Sequence, residues 1–155
     1  MHERSGADGV HPVQTVALRE GLVTETDPPR LIGSFCPVCE HYHFPEVTVC
    51  PYCGASDPVT TELSDRGRLW AWTAVNAAPP GYRGEVPYGF GVVELAEERL
   101  RVMTRLTESE PSNLDFDQSM RLHVVELHRD DEGRAVLTYA FGPDGVDDAE
   151  GGRPA

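Results

Sequence analysis

Two features of the sequence predict a mainly β protein made of a metal-held ribbon and a small barrel. All four cysteines lie in one short stretch, as Cys36-Pro-Val-Cys39 and Cys50-Pro-Tyr-Cys53. From Gly67 onward, five apolar runs follow one another, each bounded by turn residues. Two C-x2-C hairpin tips bring four thiolates to the corners of a tetrahedron, which is how a closed structural zinc site is built. The alternating runs read as strands.

The chain has 155 residues, 39% of them hydrophobic, which suits a small module plus one ordinary domain with disordered ends. The expected organisation is a disordered N-terminus over 1–14, a helix plus ribbon over 15–63, a barrel over 64–142 and a disordered acidic tail over 143–155. Val16 to Leu22 is read as a short helix ending near Gly21. Leu31 to Phe35, Tyr42 to Phe44 and Pro58 to Leu63 are the ribbon strands, which makes it a rubredoxin-like zinc ribbon. Ser64 to Gly67 is the turn leading out.

The five barrel strands are expected at 69–75, 88–95, 100–106, 120–127 and 135–141. In the third, Leu100, Val102, Thr104 and Leu106 share one face, and Arg99, Arg101, Met103 and Arg105 share the other. In the fourth the apolar phase slips between Val124 and Val125, which places a β-bulge there. Five strands with one long hairpin loop fit the OB-fold better than a β-sandwich of about seven.

Zn2+ is the expected ion at Cys36, Cys39, Cys50 and Cys53; iron at paired knuckles, and with it an electron carrier, is the alternative. With four thiolates the site is full, so His41 and His43 are expected at the surface. Gly54 follows the second knuckle, where a left-handed residue turns backbone N–H groups toward sulfur. Glu40 holds the same place in the first, at a cost of about 1 kcal/mol if left-handed.

The net charge of -13, with no lysine, argues against nucleic acid and anionic membranes as partners. A local arginine patch can still grip one anion. No apolar run is long enough to span a bilayer, and the first ten residues lack the apolar core of a secretory signal. Paired thiols in such a chain point to a reducing cytoplasm.

No catalytic constellation is legible: every cysteine is committed to metal, so a thioester-forming nucleophile is missing. Asp130, Asp131 and Glu132 read as a solvated turn. The candidate binding surface is the loop Pro79-Pro80-Gly81-Tyr82-Arg83-Gly84, stiff and tipped with an aromatic and a cation, with Tyr88 and Phe90 on the strand after it. The stripe of Arg99, Arg101 and Arg105 could pair with the phosphates of a ligand or a partner's acidic patch, or be a solvent face neutralised by nearby glutamates. Trp70 and Trp72 are expected on one face of the first strand, packing the core or, if exposed, meeting a partner.

Set in order, these pieces resemble a known family. They are Phe35-Cys-Pro-Val-Cys39, Phe44-Pro45, Val49-Cys-Pro-Tyr-Cys-Gly54, Gly67-Arg-Leu-Trp-Ala-Trp-Thr73, Ala78-Pro-Pro-Gly-Tyr82 and Pro87-Tyr-Gly-Phe-Gly-Val-Val-Glu-Leu95. The chain is similar, over about residues 15 to 142, to the zinc-ribbon/OB-fold acyl-CoA-associated family, long catalogued as a domain of unknown function. It departs from the family at Glu40, where glycine is usual, and at Phe116-Asp-Gln-Ser-Met120, where an Ile-Gly-type turn is common. The resemblance implies a non-catalytic accessory subunit of a thiolase-superfamily enzyme or thiolase-like aldolase. Such a subunit forms a hetero-oligomer and helps hold or channel acyl-CoA, in lipid or steroid side-chain degradation or polyketide-type metabolism. The alternative function is a single-stranded nucleic-acid-binding OB-fold, which needs a positive groove with stacked aromatics.

Overall fold

The computed structural model describes residues 12–145. Among the described residues nine strands form two sheets, with one 3-10 turn at Pro111–Asn113. The ribbon is a three-stranded sheet in which β2 (Ile32–Phe35) lies between β3 (Tyr42–His43) and β4 (Val59–Glu62). The barrel strands are β5 (Arg66–Val75), β6 (Tyr88–Leu95), β7 (Leu100–Leu106), β8 (Ser119–Arg129) and β9 (Ala135–Pro143). Their order β9-β7-β6-β5-β8, with β8 returning to β9, closes the ring. This is the five-stranded OB-fold barrel expected from the sequence.

Closure relies on two short joints. β7 meets β9 in parallel at Arg105↔Ala140 and Leu106↔Phe141, and β5 meets β8 at Arg66↔Arg121 through Arg68↔Ser119. The interior is filled by Leu69, Val93, Leu95, Val102, Leu106, Met120, Leu122 and Phe141. On β6 the inward positions alternate Gly89, Gly91, Val93 and Leu95. A Cβ on Gly89 would meet the Glu108 carbonyl oxygen at 2.0 Å, and one on Gly91 the Ala71 carbonyl oxygen at 2.5 Å. The Tyr-Gly-Phe-Gly motif therefore marks where neighbouring backbone approaches β6 too closely for a side chain.

Several expectations are corrected. Residues 16–22 form no helix. Thr15–Ala17 is a strand, β1, paired in parallel with Ala135–Leu137 of β9. β7 reaches β9 only at its far end, so the near edge of β9 needs partners. Gln14 and Leu18 supply them: Ala135 N–H donates to the Gln14 carbonyl at 2.9 Å, and Leu18 N–H donates to Leu137 at 2.7 Å. A seven-residue helix has too few internal bonds to compete.

The exit turn is shorter than expected, since β5 begins at Arg66. The β8–β9 ladder runs unbroken from Met120↔Pro143 to Glu126↔Leu137, and its irregularity falls between Glu126 and His128 rather than at Val124 and Val125. Val124 is exposed although it pairs with Tyr139 inside the unbroken ladder. At the C-terminal boundary, Pro143 ends β9 and the Asp144 carboxylate, 3% exposed, pairs with Arg66 at 3.0 Å. Residues 1–11 and 146–155, where disorder was expected, lie outside the described residues.

The ribbon and barrel share one core. Leu31 and Leu63, both fully buried, join the barrel cluster, and Phe44 meets Tyr139 edge-on at 5.4 Å. Ser64 adds a polar pin: its N–H and its hydroxyl both donate to Glu98, each at 2.8 Å.

Candidate functional site

The two knuckles are built alike. Cys36 N–H donates to the His41 carbonyl and Glu40 N–H to the Cys36 carbonyl; Cys50 and Gly54 do the same with Ala55 and Cys50. Each turn closes through a left-handed residue, Glu40 at φ 60° and Gly54 at φ 75°. That geometry aims amides at sulfur. The N–H groups of Cys39 and Val38 hold the metal-free Cys36 thiol down to about 7, against the opposing pull of burial.

All four Sγ atoms lie within 4.8 Å of one another, with Cys36–Cys53 at 3.6 Å and Cys39–Cys50 at 3.5 Å. Tetrahedral zinc with Zn–S bonds of about 2.3 Å places its sulfurs roughly 3.8 Å apart. The donor set fits structural Zn2+, with every coordination position taken by protein.

His41 is exposed, as expected, and stacks on Tyr52 at 4.2 Å. His43 is not at the surface: it is 6% exposed, with Nε2 3.5 Å from the Cys50 sulfur. Burial first, then His41 beside it, holds His43 below the usual histidine range. A neutral imidazole packs against the sulfur cluster without ligating, and supports Cys50 from outside the ligand set. A histidine at a strand position beside a knuckle carries no sequence signal separating this role from exposure.

The candidate loop residues divide. Pro80 and Gly81 form the exposed tip, in a turn closed by Tyr82 N–H to the Pro79 carbonyl at 3.0 Å. Arg83 reaches the β8–β9 turn and pairs with Asp131 at 2.9 Å. Tyr82, Tyr88 and Arg105 come together. Arg105 donates to the Tyr82 hydroxyl, and its guanidinium lies 4.6 Å from the Tyr88 ring centre. Tyr82 and Tyr88 pack at 5.0 Å, and the Tyr82 hydroxyl donates to the Glu85 carbonyl at 3.1 Å. The loop is thus folded down on the barrel by its own aromatic residue.

The arginine stripe also divides. Arg99 sits at φ 52° in the turn before β7 and has no ion-pair partner among the described residues. Arg101 pairs with Glu94 at 2.9 Å and lies 4.0 Å over the Trp70 ring. Arg105 meets aromatic groups and no carboxylate among the described residues. Only Arg101 matches the reading of a face neutralised by glutamate.

Trp70 and Trp72 do not share a face. The β5–β6 register skips from Leu69↔Val93 to Ala71↔Val92, so Trp70 is the extra residue of a bulge. The bulge turns Trp70 outward, 44% exposed, while Trp72 packs on the core and donates from Nε1 to the Pro111 carbonyl at 3.0 Å. Spacing i,i+2 implies one face only in an unbroken ladder. On the outer side of β5, β6 and β7, register aligns Arg68, Glu94 and Arg101, then Ala71, Val92 and Met103, then Thr73, Phe90 and Arg105. Met103 is 64% exposed.

The family models match the two halves in order. Residues 25–59 match the ChsH2 rubredoxin-like zinc ribbon domain and 60–125 the ChsH2 C-terminal OB-fold domain. A DUF35 domain-containing scaffold protein of Pyrococcus furiosus is 30% identical over 74% of this chain and 83% of its own length. The benzoylsuccinyl-CoA thiolase subunit BbsA of Thauera aromatica is 29% identical over 73% of this chain and 76% of its own. Among solved structures, the Ltp2-ChsH2(DUF35) aldolase matches with a TM-score of 0.57 and 27% identity, over 74% of this chain and 84% of that one. With ribbon and barrel matched in order and a relative at this identity, the chain belongs to the DUF35 family, the zinc-ribbon/OB-fold proteins of the ChsH2 type.

Proposed function

We propose that the protein is a non-catalytic accessory subunit of a thiolase-superfamily enzyme or thiolase-like aldolase, forms a hetero-oligomer with it, and assists it in holding acyl-CoA. The observation that carries this reading is the match over nearly three quarters of the chain to a protein named as a thiolase subunit and to a chain of the structure named as the Ltp2-ChsH2(DUF35) aldolase. The chemistry of the chain agrees: its only thiols are committed to a closed metal site and are unavailable for acyl transfer.

Within this reading Pro80, Gly81, Tyr82 and Arg83 form a fixed loop beside Arg105 and are candidates for contact with the ligand or the partner. Tyr88 and Phe90 continue that surface along β6, and Arg99 and Arg101 flank it along β7. Metabolism of lipid or steroid side chains, or of polyketide-type acyl groups, supplies substrates of the right class, in a cytoplasmic setting.

Co-expression with thiolase-superfamily subunits encoded beside this chain, followed by size-exclusion chromatography, tests it. A stable complex whose acyl-CoA turnover needs both chains is expected. Failure of every such subunit to co-purify overturns the reading.

The single-stranded nucleic-acid alternative has one observation in its favour, the aromatic and arginine residues on the outer face of the barrel. Against it, guanidinium groups already cover Trp70 and Tyr88, so neither ring offers an open stacking platform.

A further inference from the structure

We infer that the outer face of β5–β6–β7, centred on Trp70 and Met103, is the docking surface for the partner subunit, and that the partner presents there an apolar contact rimmed by carboxylates. The inference rests on the accessory-subunit reading and says which face the partner meets.

Four observations lead to it. First, the bulge at Trp70 interrupts the β5–β6 ladder and leaves two successive residues, Trp70 and Ala71, on the outer side, while Leu69 before them and Trp72 after them face the core. The bulge so doubles the apolar residues that β5 presents outward at this point, where Trp70 is 44% exposed with Arg101 over its ring. Second, register places that indole beside Ala71 and Val92, with Met103 next across the sheet. The side chains form one contiguous apolar strip, where isolated exposed residues would carry no meaning.

Third, the strip is framed by Arg68, Arg101 and Arg105, with Glu94 the one acid among the aligned outward positions. The chain as a whole carries -13. A cationic frame on an anionic protein selects an acidic counterpart. It disfavours a second copy docked through the same face, which would set arginine against arginine. Fourth, the frame is preorganised. Arg101 is held over Trp70 by Glu94, and Arg105 is held by Tyr82 and Tyr88. Tryptophan, tyrosine and arginine are the residues on which binding energy concentrates, and fixed side chains lose little entropy on docking.

Other exposed apolar groups lie elsewhere on the surface, among them Phe116 in the segment before β8 and Val49 at the second knuckle. Val38 and Tyr52 stand on the knuckle tips, and Leu18 lies on the N-terminal arm. They serve as controls.

The test uses the full, zinc-loaded chain and the thiolase-superfamily subunit that co-purifies with it. Met103→Glu adds a like charge to a carboxylate-rimmed partner at an exposed position. It is expected to raise Kd by roughly 30-fold or more. Arg101→Glu is expected to weaken binding less and to flatten its dependence on salt. Val38→Glu and Leu18→Glu are expected to change Kd by less than about threefold. Zinc content and thermal unfolding confirm that each variant is folded; if Met103→Glu is not, Met103→Gln replaces it, with a loss of at least fivefold expected.

If the wild type binds and the Met103 variant binds equally well, the face is wrong while the accessory reading stands. Loss of binding in Val38→Glu instead would move the surface to the ribbon. A homodimer broken by Met103→Glu, or salt-sensitive binding of single-stranded oligothymidine lost in it, would replace the partner subunit by a second copy or by nucleic acid. If the wild type binds no thiolase-superfamily subunit, the accessory reading falls and takes this inference with it.

Discussion

The ribbon and the barrel reach order by different physics. The ribbon has three short strands and few buried side chains of its own; Ser34, Cys36, His43 and Cys50 are among them. Its largest buried side chains, Leu31 and Leu63, belong to the barrel's core. A unit so small cannot bury enough apolar surface to fix its loops, and four thiolates on one ion do it instead. The barrel closes a ring of strands around a continuous aliphatic core and needs no metal. The lesson is that the cysteines mark what holds the ribbon, whereas the barrel is held by its own buried side chains.

The largest effect that can break this contrast is loss of a ligand. Cys50→Ala should lose stoichiometric zinc and leave the ribbon unfolded, since structural zinc supplies apparent binding energies of about 10–16 kcal/mol in small ribbons and fingers. Metal analysis and the circular dichroism of the variant check it. Next is the barrel. Phe141→Ala empties a fully buried position and should cost about 3–5 kcal/mol in urea unfolding, with zinc still bound in the folded fraction.

A smaller effect is expected at the barrel's C-terminal tether. Asp144→Asn removes the buried negative charge that faces the half-exposed Arg66 and should cost about 1 kcal/mol at neutral pH. The smallest is in the β8–β9 turn. Burial pushes the Asp130 carboxyl up, but the Arg134 side chain and the N–H groups of Arg134 and Glu132 outweigh it and hold the group below its ordinary value. Stability from this pairing is therefore complete above about pH 4, the unfolded value, and is lost as pH falls through the lower folded one. Asp130→Asn should lower stability slightly at neutral pH, flatten the acid limb of the stability curve, and leave stability below the folded-state value nearly unchanged.

The sequence made the metal site and the barrel strands legible for physical reasons. Ligand spacing is a local property, so Cys36 to Cys53 could be read directly, and the left-handed turn at Glu40 followed from its match to Gly54. Strand alternation in β6 and β7 is also local. What escaped was set by distant pairing. Residues 15–17 became a strand because β9 has an open edge more than a hundred residues away. Trp70 left the face of Trp72 through a bulge defined by register with β6, which no periodicity in β5 alone reveals. His43 was buried by the fold of the second knuckle over it. Tyr82 and Arg105 were each visible as candidates, but their contact depends on how the long loop folds back.

Amide hydrogen exchange of the zinc-loaded protein, before and after chelation, tests the division between clamp and core most directly. The expected result is that amides of β2, β3 and β4 and both knuckles lose protection while those of β5 to β9 retain most of theirs. Equal loss across ribbon and barrel, or a ribbon whose protection survives removal of the metal, would contradict it.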